Sequence, residues 1–191
     1  METEHAAGDA EAVEHKNARQ DVVAVDGADE EVGVVNRLEA HLGEGIRHRA
    51  FTSLVFDGDG HILLAQRSHD KRLWDGFWDG TVASHPEVDE PQEMAVTDRL
   101  EVELGIEPDQ YSDLRRTDKF EYKRYYAREG VEFEVCSVFK LTLDDRSIDP
   151  NEEEVAGLMW VPYERLYEHP RWYRQLRLCP WFEIAMRRDF D

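Results

Sequence analysis

Ser84-His85-Pro86-Glu87-Val88-Asp89-Glu90-Pro91-Gln92-Glu93-Met94-Ala95-Val96-Thr97-Asp98-Arg99-Leu100-Glu101-Val102-Glu103-Leu104-Gly105-Ile106 is the segment from which the architecture follows. Its second part predicts a helix over Glu90–Leu104. Apolar Met94, Ala95, Leu100 and Leu104 fall at helical spacing, and Gly105 supplies the stop that a left-handed C-terminal residue favours. Strands surround it. Asp21–Val25 is a first strand closed by the turn-like Asp26-Gly27-Ala28-Asp29. Phe51–Phe56 and His61–Gln66 flank Asp57-Gly58-Asp59-Gly60, a hairpin signal. That tetrapeptide also resembles the start of a calcium loop, but the twelfth position, Ser68, lacks the bidentate Glu such a loop needs. Glu132–Leu143 alternates as a strand, with Glu132, Glu134 and Cys136 on one face and Phe133, Val135 and Ser137 on the other. Leu158–Val161 is a further strand, followed by a helix near Tyr163–Tyr167, and the aromatic stretch Trp172–Met186 is expected to form a closing helix. Strands mixed with a few helices give an α/β class, a mixed sheet core clasped by helices.

At 191 residues the chain is long enough for one domain with a full core. Residues 1–20, rich in Ala, Glu, Asp and His, are expected to be an acidic disordered tail, which makes His5 and His15 poor ligand candidates; the folded domain is expected over 21–191. No apolar run is long enough to span a bilayer, and the acidic start lacks signal-peptide order. Cys136 and Cys179 fit buried, reduced thiols, so a cytoplasmic protein is expected. The net charge is −20, from 43 Asp+Glu against 23 Lys+Arg. Such a shell repels itself in dilute salt and suits a salt-rich cytoplasm. It also argues against nucleic acid and anionic membranes as partners. A basic and aromatic stripe from Arg115 to Tyr126 could imitate an RNA platform, but on so acidic a chain it is better taken as a local hairpin bordering the site. The sequence carries no pattern that assigns an oligomeric state.

Chemistry-bearing residues are scattered but of one kind. His41, His48 and His85 are followed far downstream by Glu132 and Glu134, and a separate acidic helix ends in Glu103. Imidazoles and carboxylates in this combination suit divalent cations, and two cation sites together suit a phosphorylated substrate. His61, His69 and His169 lie outside the pattern and are expected at the surface.

Ser84-His85-Pro86 through Glu103-Leu104-Gly105-Ile106 resembles the Nudix box, with Glu90 at its first glutamate and Glu103 at its last. Asp98-Arg99 stands where hydrolases have Arg-Glu, and Val102 replaces another glutamate, which disfavours hydrolysis. Adding Leu38-Glu39-Ala40-His41, Arg47-His48-Arg49-Ala50-Phe51, Trp74-Asp75-Gly76-Phe77-Trp78, Glu132-Phe133-Glu134-Val135-Cys136 and Pro180-Trp181, the chain resembles type I isopentenyl-diphosphate isomerases, divergent members of the Nudix fold, from about Asp21 to Phe182. The resemblance implies that His41, His48, His85, Glu132 and Glu134 bind Mn²⁺, Zn²⁺ or Mg²⁺. It implies that Glu103 holds a Mg²⁺ on the diphosphate of a small prenyl substrate, and that Arg37, Arg67, Lys71 and Arg99 face that diphosphate. Arg72, beside Lys71, is expected to be a solvated charge. The reaction implied is a 1,3-proton shift, with Glu134 as acid, Tyr122 as its relay and Trp181 as the indole that stabilises a carbocation.

One position departs from that family. Ala83 stands where it has a catalytic cysteine, and losing a positioned acid–base group costs about 10²–10⁴ in rate. A water near Ser84 or the thiol of Cys136 could replace it. Otherwise the chain is a Nudix hydrolase of a related diphosphate, or a prenyl-diphosphate binder without turnover. The charge shell itself yields a test: the melting temperature should rise from dilute to molar KCl, and a fall over that range would contradict adaptation to salt.

Overall fold

The structure is a computed structural model that describes residues 20–168 and 175–190. The expected tail up to residue 19, with His5 and His15, lies outside the described residues, as do His169 and Trp172. Gln20, placed in the tail by sequence, is bound to the fold: its carbonyl accepts from the Arg37 amide at 2.8 Å and its side chain from the Arg37 guanidinium at 2.6 Å.

In chain order the elements are β1 (Asp21–Val25), β2 (Glu31–Asn36), α1 (Arg37–Ala40), β3 (His48–Phe56), β4 (His61–Arg67), β5 (Trp78–Asp79), β6 (Thr81–Ser84), α2 (Gln92–Leu104), β7 (Tyr111–Tyr126), β8 (Gly130–Leu143), β9 (Val155–Pro162), α3 (Tyr163–Glu168) and α4 (Pro180–Phe190). β3 is the axis. It runs parallel to β8 from His48↔Glu134 to Phe56↔Thr142 and pairs antiparallel with β6 through Phe51↔Ser84 to Leu54↔Thr81. The expected hairpin forms, its turn held by Asp57, which accepts from the amides of Asp59 and His61 at 2.9 and 2.8 Å. Its strands then part after Phe56↔Ile62, and β4 pairs instead with β9 and β5. β7 and β8 form the long hairpin expected around Arg115–Tyr126.

Alternation along β3 divides the core in two. Ala50 and Leu54 join Ile62, Leu64, Cys136, Val138, Trp181 and Phe182 against α4; Phe51 and Val55 join Leu63, Val96, Leu100, Leu104 and Phe139 against α2. Fully buried residues such as Leu100 and Leu104 contribute about 1.5–3 kcal/mol each, so both helices are held by packing onto the sheet.

Three expectations need correction. α2 begins at Gln92 rather than Glu90: Pro91 is the extended N-cap residue, and Glu90 stays in the preceding loop, its carboxylate accepting from the Glu87 amide at 2.6 Å. Met94 is 56% exposed, and Val96 fills the core-facing position. The closing helix begins at Pro180, whose fixed φ and missing N–H suit a first helical position; residues 175–179 are irregular, and Leu178 bridges Trp78.

Gly105 ends α2 at φ 62°, and a Cβ there would sit 3.0 Å from the Asp149 carbonyl oxygen. Gly105→Ala should therefore cost about 1–2 kcal/mol or more in a urea melt; no loss would show that the cap is not under this constraint.

Candidate metal centre and the cavity beside it

Strand register assembles the site. His48 of β3 pairs with Glu134 of β8, which pairs in turn with Tyr122 of β7. Glu132 lies two residues from Glu134 and shares its face. His41 follows α1, whose N-cap Asn36 accepts from the Leu38 amide at 3.0 Å, and His85 follows β6. The three imidazoles stand with ring centres 4.7, 4.8 and 5.3 Å apart. All five residues are buried, each offering one donor atom within 4.8 Å of the others.

The protons on the rings can be placed. His41 Nδ1 lies 2.6 Å from the Arg37 carbonyl and His48 Nδ1 lies 2.7 Å from that of Ile46. A carbonyl only accepts, so each Nδ1 carries hydrogen and each Nε2 turns inward. His41 Nε2 is 2.8 Å from Glu132 Oε2; His85 and His48 Nε2 are 2.9 and 3.5 Å from Glu134 Oε1. His48 Nε2, His85 Nδ1 and Glu132 Oε2 are buried without a hydrogen-bond partner. Burial, with Arg37 and the other two rings, pushes His85 well below the usual imidazole range, so it is neutral. Burial lowers His41 too, but the Glu132 carboxylate outweighs it and draws the ring upward. Imidazole nitrogens and carboxylate oxygens converging in this way, three of those atoms without a hydrogen-bond partner, fit a divalent cation.

The Tyr122 hydroxyl donates to Glu134 Oε2 at 2.5 Å. Burial pulls the Glu134 carboxyl upward, but His48, Glu132 and Tyr122 together hold it at about 2. Tyr122 is pushed far up by burial and by Glu134. The proton of this pair therefore sits on the phenol, with Glu134 a carboxylate, rather than on a standing carboxylic acid. Arg37, Arg67, Ala83, Ser84, His85, Cys136 and Trp181 line one cavity with the pair. Cys136 is core, as expected, and burial raises its thiol so far that it stays protonated.

A larger adjoining cavity is lined by Arg37, Arg67, Lys71, Arg99 and Ala83. These are the cations expected to face a diphosphate. Arg99 donates to Glu103 at 2.9 and 2.6 Å and reaches Glu154 at 3.4 Å; Lys71 pairs with Glu154. Arg67 donates at 3.1 Å to the carbonyls of Leu73 and Trp74. Glu103 is 7% exposed and aims at these cations. Arg72 is not merely solvated; it donates to the Glu129 carbonyl at 3.1 Å. Glu90 and Asp98 of the box contribute nothing to the cavities, and Val102 is exposed. His61 is tied to Asp57 at 3.0 Å and His69 is exposed, both away from the cluster.

Two site residues escaped the sequence reading. Glu154 lies in an acidic run, Glu152-Glu153-Glu154, that looks like solvated surface. Asp79 is 2% exposed and accepts from the Trp181 indole N–H, with both oxygens at 2.9 Å. Burial pushes its carboxyl up to about 6 against the pull of Arg67, the Gly80 amide and Trp181.

Fold and cluster together define a NUDIX-domain protein: the NUDIX domain model matches residues 46–182. DR0079 from Deinococcus radiodurans is similar in structure, with a TM-score of 0.71 at 22% identity over 88% of this chain and 98% of that one, which supports the fold. Isopentenyl-diphosphate Delta-isomerase of Haloarcula marismortui is 66% identical over 92% of this chain and 94% of its own length. That of Halobacterium salinarum is 64% identical over 92% and 83%. That of Saccharopolyspora erythraea is 37% identical over 75% and 73%. The chain belongs to the isopentenyl-diphosphate Delta-isomerase family. The first two relatives come from halophiles, in keeping with the charge of this chain.

Asp79 has a consequence for stability. Its folded pKa of about 6 lies above its ordinary 3.8, so the folded state holds the extra proton between these values and this group's contribution declines as pH rises through them. Denaturation of wild type beside Asp79→Asn should show the wild-type advantage shrinking by roughly 2–3 kcal/mol from pH 4 to 7. A constant difference would contradict the buried carboxyl.

Proposed function

We propose that this chain interconverts isopentenyl and dimethylallyl diphosphates by moving one proton across an allylic unit. The observation that best supports this is the buried Tyr122–Glu134 pair, 2.5 Å apart, in a cavity adjoining one lined by Arg37, Arg67, Lys71 and Arg99. Arg37, Arg67, Lys71 and Arg99 bind the diphosphate end of the small prenyl substrate, and Glu103 would hold a Mg²⁺ that offsets its charge. Glu154 keeps Lys71 and Arg99 extended until the diphosphate competes for them.

His41, His48, His85, Glu132 and Glu134 would hold a second divalent cation, Mn²⁺, Zn²⁺ or Mg²⁺. When bound, this ion supplies positive charge that fixes the Glu134 carboxylate and lowers the cost of releasing a proton beside it. Tyr122 and Glu134 carry the proton and deliver it to the terminal methylene carbon of the alkene. The electron pair of the double bond takes it up, leaving a tertiary carbocation that the Trp181 ring faces. Loss of a proton from the methylene bonded to the cationic carbon, on its diphosphate side, returns an electron pair and forms the shifted double bond. Ala83 cannot accept that proton, and neither can the protonated Cys136 thiol. A solvent molecule beside Ser84, which lines both cavities, is the acceptor. We place the protein in a salt-rich cytoplasm.

Incubation with substrate in D₂O, molar KCl and divalent metal should put deuterium into the methyl and methylene positions. Tyr122→Phe should slow this uptake by about 10²–10⁴. Absence of exchange in wild type would end the reading, and release of phosphate instead would show hydrolysis. Ala83→Cys should raise the exchange rate only modestly; a gain of several orders would show that no group on this chain or its solvent stands in for the thiol.

A further inference from the structure

Trp181 is fixed from several sides. Trp74 packs edge-on at 5.4 Å between ring centres, Tyr122 lies at 6.3 Å, and the Arg67 guanidinium stands 5.4 Å from the ring centre. Its N–H end meets Asp79 of β5, whose Oδ1 also accepts from the Gly80 amide at 2.7 Å. Arg67 Nη1 lies 3.9 Å from Asp79 Oδ2. Asp79 lines a small cavity with Arg67, Lys71, Ala83 and Glu103, but not the one that Tyr122, Glu134 and Trp181 share. It therefore reaches the reaction through the indole.

A neutral acceptor, such as a carbonyl or an Asn side chain, would satisfy an indole N–H. The fold instead buries a carboxylate there, at a desolvation cost visible in its raised pKa. An anion accepting the N–H pushes electron density into the ring and deepens the negative potential of its faces, on which attraction for a cation depends. We propose that the Asp79 carboxylate, by accepting the Trp181 indole N–H, orients that ring and strengthens the face that meets the carbocation. Asp79 is thus a positioning residue of the isomerisation. This rests on the isomerase reading given above. The groups facing Asp79 are Arg67 from β4, Cys136 from β8, Trp181 and Cys179 from the C-terminal segment, Glu103, whose charge acts from α2, and Lys71 and Glu154, which line the same small cavity.

Wild type, Asp79→Asn, Trp181→Phe and the double variant separate the possibilities. Asp79→Asn should lower kcat about tenfold or more with KM changed less than twofold, and should have less than a twofold effect in the Trp181→Phe background. A loss carried by KM, or an equal loss in both backgrounds, would overturn the proposal. An NMR readout is independent of turnover. The Trp181 indole N–H resonance, identified by its disappearance in Trp181→Phe, should move in wild type with a midpoint of about 6, the pKa of Asp79, and should be shifted and insensitive there in Asp79→Asn. Should Asp79→Asn fail to fold, the wild-type titration decides, and a static resonance overturns the proposal. A protein that isomerises nothing yet shows the moving resonance would defeat the isomerase reading while leaving the Asp79–Trp181 bond in place.

Discussion

Everything chemical in this chain depends on the parallel register of β3 and β8, which sets His48 beside Glu134 and brings Glu132, two residues earlier, onto the same face. A slip of one residue would turn both carboxylates into the opposite core. The register is fixed by packing rather than by the site. Phe51 and Val55 on one face, and Ala50 and Leu54 on the other, are committed to separate apolar clusters. Hydrophobic alternation along two strands thus holds charged groups where they would not gather unaided. The cost of burying Glu132 and Glu134 is met by imidazoles whose outer nitrogens are already bound to carbonyls.

Charge is organised at a second scale. A chain of net charge −20 collects Arg37, Arg67, Lys71 and Arg99 around one cavity and steadies Lys71 and Arg99 with Glu103 and Glu154. The anionic shell repels bulk polyanions, while the lined cavity gives a small diphosphate a local attraction. Next to it the character of the site changes. Tyr122, Trp181, Cys136 and Phe51 line the place where a proton moves, together with Ser84, His85 and the two glutamates. That division, cations for one end of a substrate and aromatic side chains for the other, matches an amphipathic prenyl diphosphate.

Much of this was legible in the sequence, for physical reasons that differ by residue. Strands with period-two alternation stood out, and Gly105 marked the end of α2 because few other residues accept a left-handed backbone. That His41, His48, His85, Glu132 and Glu134 gather was legible through the resemblance to a family in which they occur together, since each alone is an ordinary residue. Asp79 was not: it sits in an aromatic loop sequence, and its partner Trp181 is 102 positions away. Glu154 hid in an acidic run of a chain rich in such runs. Met94 was misplaced because one apolar residue satisfies a helical period from either side, and only packing tells which. The two-residue β5 was too short to carry a periodic signal.

The central claim is that His41, His48, His85, Glu132 and Glu134 close around one ion. Anomalous diffraction from crystals of the protein as purified tests it most directly. The account predicts one peak at bonding distance from all five side chains, in the anomalous map for Mn²⁺ or Zn²⁺ and in the ordinary difference map for Mg²⁺, distinct from any ion brought by a diphosphate. A fully active protein whose cluster shows no such peak, and whose three imidazoles are bridged to the glutamates by hydrogen bonds alone, would contradict it.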